Sequence, residues 1–335
     1  MGRDQATEFW IDRGGTFTDI IAARPEEALQ TMKLLSENPD QYADAAVEGI
    51  RRLLGLEGNR PIPPELIRSV KMGTTVATNA LLERKGEPTV VVLNKGLRDV
   101  LQIGTQQRPR LFDLEIKPPL QVYERTVEVS GRLSVEGIEL EPLDEQQAEH
   151  DLRSAFAAGF RAVAIVLMHS FRFPQHELRI ADIARRVGFT QISPSHEVSQ
   201  LIKIVPRGET TVVDAYLSPV LHRYVGRLHQ ALPQVPIYFM QSNGGLASAA
   251  LLCGKDAILS GPAGGMVGAV KAAEKAGFQK IVGFDMGGTS TDVTHFAGQY
   301  ERRSESEIAG VHLRVPMLHI HTVAAGGGSI CRFVG

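Results

Sequence analysis

The sequence is poor in several features that mark particular classes of protein. Its 335 residues include only two cysteines, Cys253 and Cys331, which lie far apart without metal-site spacing, as fits a reducing cytosol. No apolar run reaches the roughly 18 residues that indicate a membrane span. The opening MGRDQATEFW has no apolar signal region and no hydroxyl residue placed for myristoylation. We therefore expect a cytoplasmic protein with no membrane partner.

The sequence also lacks a large excess of charge of either sign. Its 36 Lys and Arg residues nearly balance its 38 Asp and Glu residues, and the formal net charge is −2. Such a balance gives no broad positive surface for nucleic acid or an anionic membrane. Hydrophobic residues make up 43% of the chain, which permits a sizeable core, and the length favours about two domains. A small molecule is the expected ligand.

One eight-residue phrase occurs twice in the sequence, in two closely similar forms. DRGGTFTD spans residues 12–19 and DMGGTSTD spans residues 285–292, and each follows an apolar run, FWI or IVGF. The two copies are much too far apart for a short solenoid repeat. The duplication instead predicts two related lobes that face each other.

Each copy has the residue types of a phosphate-binding turn. Paired glycines can take positive φ and let backbone N–H groups approach an anion, and hydroxyls follow at the rim of the turn. An ordinary two-residue hairpin turn is the competing interpretation for one copy alone, but the recurrence favours a phosphate chain held between two hairpins. The predicted ligand-binding residues are Gly14, Gly15, Thr16, Gly287, Gly288, Thr289 and Ser290.

Each phrase begins with one aspartate and ends with another. Asp12 and Asp285 end the apolar runs, and their carboxylates would repel a phosphate unless a hard cation such as Mg²⁺ lay between them. We therefore predict that Asp12 and Asp285 are metal-side ligands. Asp19 and Asp292 close the phrases and either support the cation or simply end their strands.

These paired phrases resemble the phosphate 1 and phosphate 2 loops of the actin, Hsp70 and sugar-kinase ATPase superfamily. Within that superfamily the sequence resembles the hydantoinase/oxoprolinase family, and KLLSENP with TQQRPRLFDL points to its ATP-dependent 5-oxoprolinase branch. The similar segments follow the family order along the chain: KLLSENPDQYADAAVEGIRRLL, MGTTVATNALLERKG, IGTQQRPRLFDL, MQSNGGL, LSGPAGGMVGA and HTVAAGGGS.

The resemblance implies an α/β fold of the actin/Hsp70/sugar-kinase-like ATPase type, with two ribonuclease-H-like lobes. Residues 1–205 would form the first lobe with the first phosphate loop, and residues 206–335 would start the second lobe with the second loop. Family members continue for several hundred residues past AAGGGS, so the second lobe is expected to be incomplete here. Such a lobe would expose an unpaired sheet edge or an apolar face.

The resemblance also implies an activity, the ATP-dependent hydrolysis of 5-oxo-L-proline to L-glutamate in glutathione metabolism. The implied cofactors are ATP, Mg²⁺ and K⁺, and the implied catalytic residues are Asp12, Asp285 and Asp292, of which Asp292 matches the second-loop pattern of the superfamily. An ATP-dependent hydantoinase, a ketone-carboxylase subunit and an inactive nucleotide-binding fragment are the alternatives. A homo-oligomer or a partner polypeptide would complete the fold.

Four further segments are weaker candidates. Residues 260–265, SGPAGG, open a predicted helix that could hold an anion, or they form a cap with tight packing. Residues 73–79, GTTVATN, could contact a polar substrate or cap a helix. Residues 108–110 could clamp a carboxylate or form a solvated loop. His319 and His321 could share a metal with a third ligand, although ordinary histidines are favoured.

Periodicity and turn residues predict alternating strands and helices. Strands are expected at FWID, TDIIAA and LQTMKLL, at 89–93 and 162–168, and at 235–240, where the second lobe would open; residues 122–140 alternate as antiparallel strands. Helices are expected at 39–55, 75–85, 144–159, 176–187 and 209–228, the last of them kinked or split at Pro219.

Overall fold

The computed structural model describes an α/β chain over residues 6–58, 60–105, 112, 121–288, 290–323 and 325–332. The strands are β1 (Thr7–Arg13), β2 (Phe17–Ala23), β3 (Gln30–Leu35), β4 (Ile67–Thr74), β5 (Thr89–Asn94), β6 (Arg125–Val129), β7 (Arg132–Leu133), β8 (Glu139–Glu141), β9 (Ala162–Val166), β10 (Gln191–Pro194), β11 (Ile237–Met240), β12 (Leu246–Ser248), β13 (Lys280–Met286), β14 (Thr291–Ala297), β15 (Arg302–Arg303), β16 (Ser306–Ile308), β17 (Val311–Leu313), β18 (Met317–Leu318) and β19 (Ile320–Val323).

The helices pack against the sheets. None of those in the described ranges is long and apolar enough to cross a membrane. They are α1 (Ala45–Leu53), α2 (Val76–Leu82), α3 (Val100–Ile103), α4 (Glu145–Ala157), α5 (Gln175–Val187), α6 (Ser195–Val198), α7 (Ile204–Ala231) and α8 (Ser260–Lys275).

The largest sheet has the strand order β12-β11-β4-β1-β2-β3. β1 and β2 form the predicted antiparallel hairpin around the first glycine turn, and β4 lies parallel to β1 on its other edge. Alternate side chains of the hairpin, including Phe9, Ile11 and Ile20, are buried in the main core together with Ile50 of α1. This packing fixes the register of the first turn.

Helix α1 begins later than the sequence predicted. The predicted start at Pro39 and Asp40 is wrong, because the carboxylate of Asp44 accepts the N–H groups of Ala46 and Val47 and so caps the helix there. In the sequence, Pro39 with Asp40 and Asp44 alone are both plausible starts of the helix. Only the capping geometry distinguishes them.

The second large sheet, in the order β10-β9-β5-β6, is entirely parallel. In β5, Val90 and Val92 enter the core beneath α4 and α5, while Val91 and Leu93 enter the main core, as expected for a strand buried on both faces. The prediction of antiparallel strands over 122–140 is wrong for β6. An alternating pattern indicates that one face of a strand is buried. It does not indicate whether the strand pairs parallel or antiparallel with its neighbour.

Helices α4 and α5 confirm the predictions for this region. The Asp144 carboxylate accepts the N–H of Gln147 at 3.0 Å and caps α4, although the Gln147 side chain donates to Asp151 and does not complete a capping box. Gly188 ends α5 with a φ of 113°, in the left-handed region.

Helix α7 runs unbroken through Pro219, so the predicted split is wrong. Proline removes one helical hydrogen bond, and the neighbouring turn packs against the helix at this level. The N–H of Gly254 donates to the hydroxyl of Ser218 at 2.9 Å, and the N–H of Lys255 donates to the carboxylate of Asp214 at 3.3 Å. Burial raises the pKa of Asp214 despite these bonds.

The third sheet, β13-β14-β19, contains the second glycine turn. Its core is small and is formed mainly by Ala263, Met266 and Val270 of α8 with Phe296 of β14. β11 was predicted to open this second lobe, but it lies parallel to β4 in the first sheet. A continuous apolar strand fits either sheet, so its partner could not be read from its own residues.

Candidate functional site

The two glycine turns have the same geometry. The N–H of Gly14 donates to the carbonyl of Phe17 at 3.0 Å, and the N–H of Gly287 donates to the carbonyl of Ser290 at 2.9 Å. The strands pair in the same register, with Asp12 opposite Asp19 and Asp285 opposite Asp292. The duplicated sequence therefore folds into a duplicated structure.

The glycines of the two turns do not adopt left-handed backbone conformations, and Gly14 alone of the four is required by close packing. None of Gly14, Gly15, Gly287 and Gly288 has a φ in the left-handed region, so that expectation is wrong. At Gly14 a Cβ would stand 2.9 Å from the carbonyl oxygen of Phe17, which only glycine avoids. Because the Gly14 and Gly287 N–H groups already close the turns, Gly15 and Gly288 are the better candidates for phosphate donors.

Each turn is braced by a later segment. The Ser36 hydroxyl donates to the Gly14 carbonyl at 2.7 Å. At the second turn, the N–H groups of Gly327 and Gly328 donate to the carbonyls of Gly287 and Gly288, at 2.9 and 3.1 Å. Gly327 and Gly328 of this glycine-rich segment therefore lie against the second turn, a contact that the sequence alone did not predict.

The start of α8 lies between the two leading carboxylates. A Cβ on Gly261 would be 3.3 Å from Oδ1 of Asp12, and a Cβ on Gly265 would be 3.7 Å from Oδ2 of Asp285. From the other side, a Cβ on Gly73 of β4 would be 3.1 Å from the same Asp12 oxygen. The N–H of Thr74 donates to the hydroxyl of Ser260 at 3.1 Å and joins β4 to the start of the helix. SGPAGG thus brings an N-terminal helix dipole, which favours anions, to both aspartates.

The electrostatic environment of Asp12 is unusual for an aspartate with solvent contact. Loss of hydration by burial, together with the carboxylates of Asp19 and Asp285, raises its pKa from 3.8 to about 6, while Lys33 lowers it in part. Asp12 nevertheless retains exposed surface. A cation bound there would relieve the repulsion among these carboxylates.

The two closing aspartates differ in their partners. Asp19 is paired with Lys33, whose Nζ lies 2.6 Å from its carboxylate. Asp292 accepts a hydrogen bond from the hydroxyl of Thr322 at 2.6 Å. Burial raises the pKa of Asp292, Thr322 lowers it, and Asp285 raises it. Asp285 thus acts electrostatically on both Asp12 and Asp292, which places the three predicted catalytic carboxylates in one neighbourhood.

The hydroxyl side chains predicted at the rims of the two turns differ in exposure. Thr16 is exposed beside the first turn, and Ser290 is half-buried in the second. Thr289 lies outside the described residues. The roles of the hydroxyls in phosphate binding stay predictions.

The arrangement suits Mg²⁺ bound with a polyphosphate. Among the described residues no group of three or more His, Cys, Asp or Glu side chains is placed to hold a metal by itself. Mg²⁺, however, usually takes one or two carboxylates and completes its shell with water and phosphate oxygens. Asp12 and Asp285 supply two carboxylates of this kind. The residues present therefore fit the predicted ion, and K⁺ stays a prediction.

The GTTVATN segment packs directly on the first turn. The N–H and hydroxyl of Thr75 both donate to the carbonyl of Arg13, at 3.1 and 3.2 Å. Asn79 lies close to Gly15. The Thr75 side chain makes no capping bond to α2, but the Thr74 hydroxyl accepts the N–H of Val76 at 3.2 Å, so the segment also caps the helix. A substrate contact stays a prediction for this segment.

The other sequence candidates lie elsewhere or have structural roles. His319 contacts Glu301, which His295 also contacts, and no third metal ligand joins His319 and His321 among the described residues. In SNGG, the Ser242 hydroxyl donates to the carbonyl of Asp256 and accepts the N–H of Leu259, which holds the turn before α8. Residues 108–110 lie outside the described ranges.

Sequence reasoning missed several residues that shape this site. Lys33 and Thr322, the partners of the closing aspartates, lie on the third strand of each hairpin sheet. The phrases themselves carry no sign of these partners. Only the matching strand order of the two sheets points to Lys33 and Thr322, and that order is known only once the strand pairing is known.

Comparison with known proteins agrees with the duplicated geometry. The hydantoinase/oxoprolinase N-terminal region model matches residues 8–188, and the hydantoinase/oxoprolinase model matches residues 207–335. The chain is 42% identical to 5-oxoprolinase 1 of Arabidopsis thaliana, over 97% of this chain and 28% of that protein. It therefore spans less than a third of the length of this curated relative.

Two solved structures share the fold. The ATP-dependent caprolactamase of Pseudomonas jessenii has a TM-score of 0.82 at 32% identity, over 98% of this chain and 49% of that one. Acetone carboxylase in its nucleotide-free form has a TM-score of 0.80 at 24% identity, over 96% of this chain and 48% of that one. These neighbours confirm the predicted actin/sugar-kinase-like ATPase fold. The chain belongs to the hydantoinase/oxoprolinase family.

Proposed function

We propose that this chain is the nucleotide-binding part of an enzyme that opens a cyclic amide at the expense of ATP, with 5-oxo-L-proline as the substrate. The observation that carries the proposal is the placement of Asp12 and Asp285 on either side of the start of α8. The relatives named 5-oxoprolinase, about 41% identical, support the substrate class. Because the chain spans under a third of their length, the full activity is assigned to the chain together with further polypeptide.

The chemistry needs a phosphoryl donor because a lactam carbonyl is a poor electrophile. Bound MgATP would transfer its γ-phosphoryl group to the carbonyl oxygen and leave ADP, and water would then add to the activated carbonyl carbon. Breaking of the ring C–N bond would open the lactam as an acyl phosphate, which a second water would hydrolyse to the carboxylate and phosphate. Asp12 and Asp285 would hold the cation, and the Gly15 and Gly288 N–H groups with the start of α8 would orient the phosphates. Asp292, held by Thr322, would position the ligands of the cation. Cytoplasmic glutathione metabolism is the proposed setting.

A second candidate substrate is a larger lactam. The structural neighbour named caprolactamase, at 32% identity over nearly the whole chain, favours it. The phosphate loops would serve either ring, because they contact the nucleotide and not the lactam. Ring size would therefore be decided by residues outside the phosphate loops, among which the GTTVATN segment of this chain is a candidate.

Substrate-dependent release of ADP and phosphate tests the assignment. A chimera would carry this chain in place of the matched region of Arabidopsis 5-oxoprolinase 1, and it would be assayed with 5-oxoproline, caprolactam, hydantoin and acetone. We expect release with 5-oxoproline, and at least a hundredfold loss in the Asp12→Asn variant. Release with caprolactam, hydantoin or acetone alone would contradict the substrate assignment.

The isolated chain is the matched control. It should bind MgATP without lactam-dependent turnover. Robust turnover by the isolated chain would contradict the need for further polypeptide.

A further inference from the structure

The two phosphate phrases differ at the residue just before each glycine turn. Arg13 is the last residue of β1, whereas Met286 is the last residue of β13. The turns that follow are closed by equivalent hydrogen bonds. Because the second turn has this form without an arginine, the phosphate turn itself does not require one. Arg13 must therefore have another role.

Arg13 lies on the opposite face of the strand from Asp12. Successive side chains of a strand point to opposite faces of the sheet. Arg13 therefore shares its face with Phe9 and Ile11, which are both buried. Its guanidinium lies over the ring of Tyr224 in α7, with Cζ 5.0 Å from the ring centre. The arginine is thus placed between the first turn and α7.

The Tyr224 ring is a fixed support for this guanidinium. Tyr224 is 1% exposed, and its hydroxyl donates to the sulfur of Met72 at 3.4 Å. Phe239 meets the ring in an edge-on contact, with the ring centres 6.5 Å apart. Burial raises the pKa of the Tyr224 hydroxyl, so the ring stays neutral. An arginine stacked on such a ring is held by its flat face, and the N–H groups at its edge stay free to donate.

These edge N–H groups have no partner in the protein. Among the residues that the structure describes, none forms a hydrogen bond or an ion pair with the Arg13 guanidinium, and its Nε atom is buried. The charge of Asp44 also acts on Tyr224, but the Asp44 carboxylate caps α1 through the N–H groups of Ala46 and Val47. A buried donor without an acceptor is costly. The guanidinium is therefore available to an anionic ligand.

The groups next to Arg13 suit a cyclic amide. The Thr75 hydroxyl donates to the Arg13 carbonyl and accepts the side-chain N–H of Asn79 at 3.4 Å. Asn79 also lies close to Gly15, whose N–H is a candidate phosphate donor. A carboxamide can donate to a lactam carbonyl and accept from a lactam N–H. The first turn therefore carries a group for a carboxylate and a group for an amide side by side.

We propose that Arg13 binds the carboxylate of the lactam substrate and so selects lactams that carry a carboxylate over neutral ones. This inference rests on the proposed function, because it names the group of 5-oxo-L-proline that the chain recognises. The edge of a guanidinium matches the two oxygens of a carboxylate. The reaction needs the lactam carbonyl at the γ-phosphate, so the ring would extend from Arg13 toward Gly15 and Asn79. A phosphate does not explain Arg13, because the second turn has methionine at this position.

Titration with two matched lactams tests the proposal. 2-Pyrrolidinone has the ring of 5-oxoproline without its carboxylate, so the ratio of the two affinities measures the carboxylate contact. Both would be titrated calorimetrically into the chain with saturating MgADP. We expect the parent chain to bind 5-oxoproline about tenfold more tightly or better, and Arg13→Met to bind the two lactams equally. The affinities of Arg13→Met for 2-pyrrolidinone and for MgATP should stay at the parent values.

Arg227→Met is the matched control. Arg227 also faces the Tyr224 ring, at 5.9 Å, but it is exposed on α7. Its replacement should leave the preference for 5-oxoproline unchanged. Arg13→Lys keeps the charge and removes the planar fork, so it should retain only part of the preference. Urea unfolding of each variant separates loss of binding from loss of the fold, and Arg13→Lys carries the test should Arg13→Met not fold.

Three results would overturn the proposal. One is a parent chain that binds the two lactams equally or binds neither. Another is a parent-like preference for 5-oxoproline in Arg13→Met. The third is a loss of MgATP affinity in Arg13→Met with the lactam preference unchanged, which would assign the arginine to the phosphates. Failure of the proposed function is a different result, because it would appear as a parent chain that does not bind MgATP.

Discussion

Glycines at the two turns differ in the space around them. A Cβ on Gly14 would meet the Phe17 carbonyl at 2.9 Å, whereas a Cβ on Gly288 would meet nothing within 4 Å. We expect Gly14→Ala to lower the free energy of unfolding by about 1–3 kcal/mol, because the backbone must shift. Gly288→Ala should change it by less than about 0.5 kcal/mol but weaken MgATP binding about tenfold, because the methyl group holds the phosphate away from the turn.

Urea unfolding and calorimetric titration with MgATP check this pair. Each variant serves as the control for the other, since one change acts on packing and the other on ligand approach. Unchanged MgATP affinity in Gly288→Ala would show that the second turn does not face the phosphates.

Glu209 gives a prediction about pH. Its half-buried carboxyl faces a small cavity and has no hydrogen bond or ion pair with any described residue, and burial raises its pKa from 4.5 to about 7. The folded chain therefore holds the proton more tightly than the unfolded chain. The contribution of Glu209 to stability is greatest below pH 4.5 and is lost as pH rises toward 7. The cavity is lined by Leu101, Gln121, Val122, Glu209, Val212, Gly310, Val311 and His312.

Glu209→Gln should remove this pH dependence. At pH 8 we expect the variant to be more stable than the parent chain by on the order of 2 kcal/mol, and at pH 5 the difference should nearly vanish. Urea unfolding at both pH values measures it, with exposed Glu57→Gln as the control. A stability difference that is the same at pH 5 and pH 8 would contradict the buried-carboxyl explanation.

Among secondary-structure elements, helix α8 contains two glycines with different surroundings. Gly261 at its start would bring a Cβ within 3.3 Å of both Asp12 and Thr75, while Gly268 in the same helix has open space. Gly268→Ala should raise the free energy of unfolding by about 0.5–1 kcal/mol, because alanine is the better helix former. Gly261→Ala should give no such gain and should weaken MgATP binding by displacing the Asp12 carboxylate.

Thermal unfolding and MgATP titration of the two α8 variants distinguish these effects. Equal affinities in Gly261→Ala and Gly268→Ala would remove the start of α8 from the proposed site.

Elements were predictable where their signals are local. The first hairpin, the cap at Asp144 and the left-handed glycine at Gly188 follow from short patterns. The partner of β11 and the parallel direction of β6 depend on pairing between distant segments, which no window of sequence contains. The unbroken α7 depends on what packs against Pro219, so tertiary contacts override the local signal.

On the scale of the whole molecule, the duplicated phrase predicted the architecture correctly. It indicated two facing hairpins, and the structure shows both turns closed by equivalent bonds. What it could not show is the difference between the lobes. The face around Phe9 and Ile11 is buried, whereas that around Val282 and Phe284 is bare. Helix α1 covers the first hairpin, whereas no described element covers Val282 and Phe284, so the same strand pattern has a buried face in one hairpin and an exposed face in the other.

The central claim is that both hairpins act on one MgATP. A double-mutant cycle measures it most directly, with calorimetric titration of MgATP into the parent chain, Asp12→Asn, Asp285→Asn and the double variant. We expect each single change to weaken binding at least tenfold, and the double variant to lose less than the sum of the two losses in binding free energy, with a coupling of at least about 0.5 kcal/mol. Parent-like affinity in Asp285→Asn, or additive losses, would contradict a shared ligand.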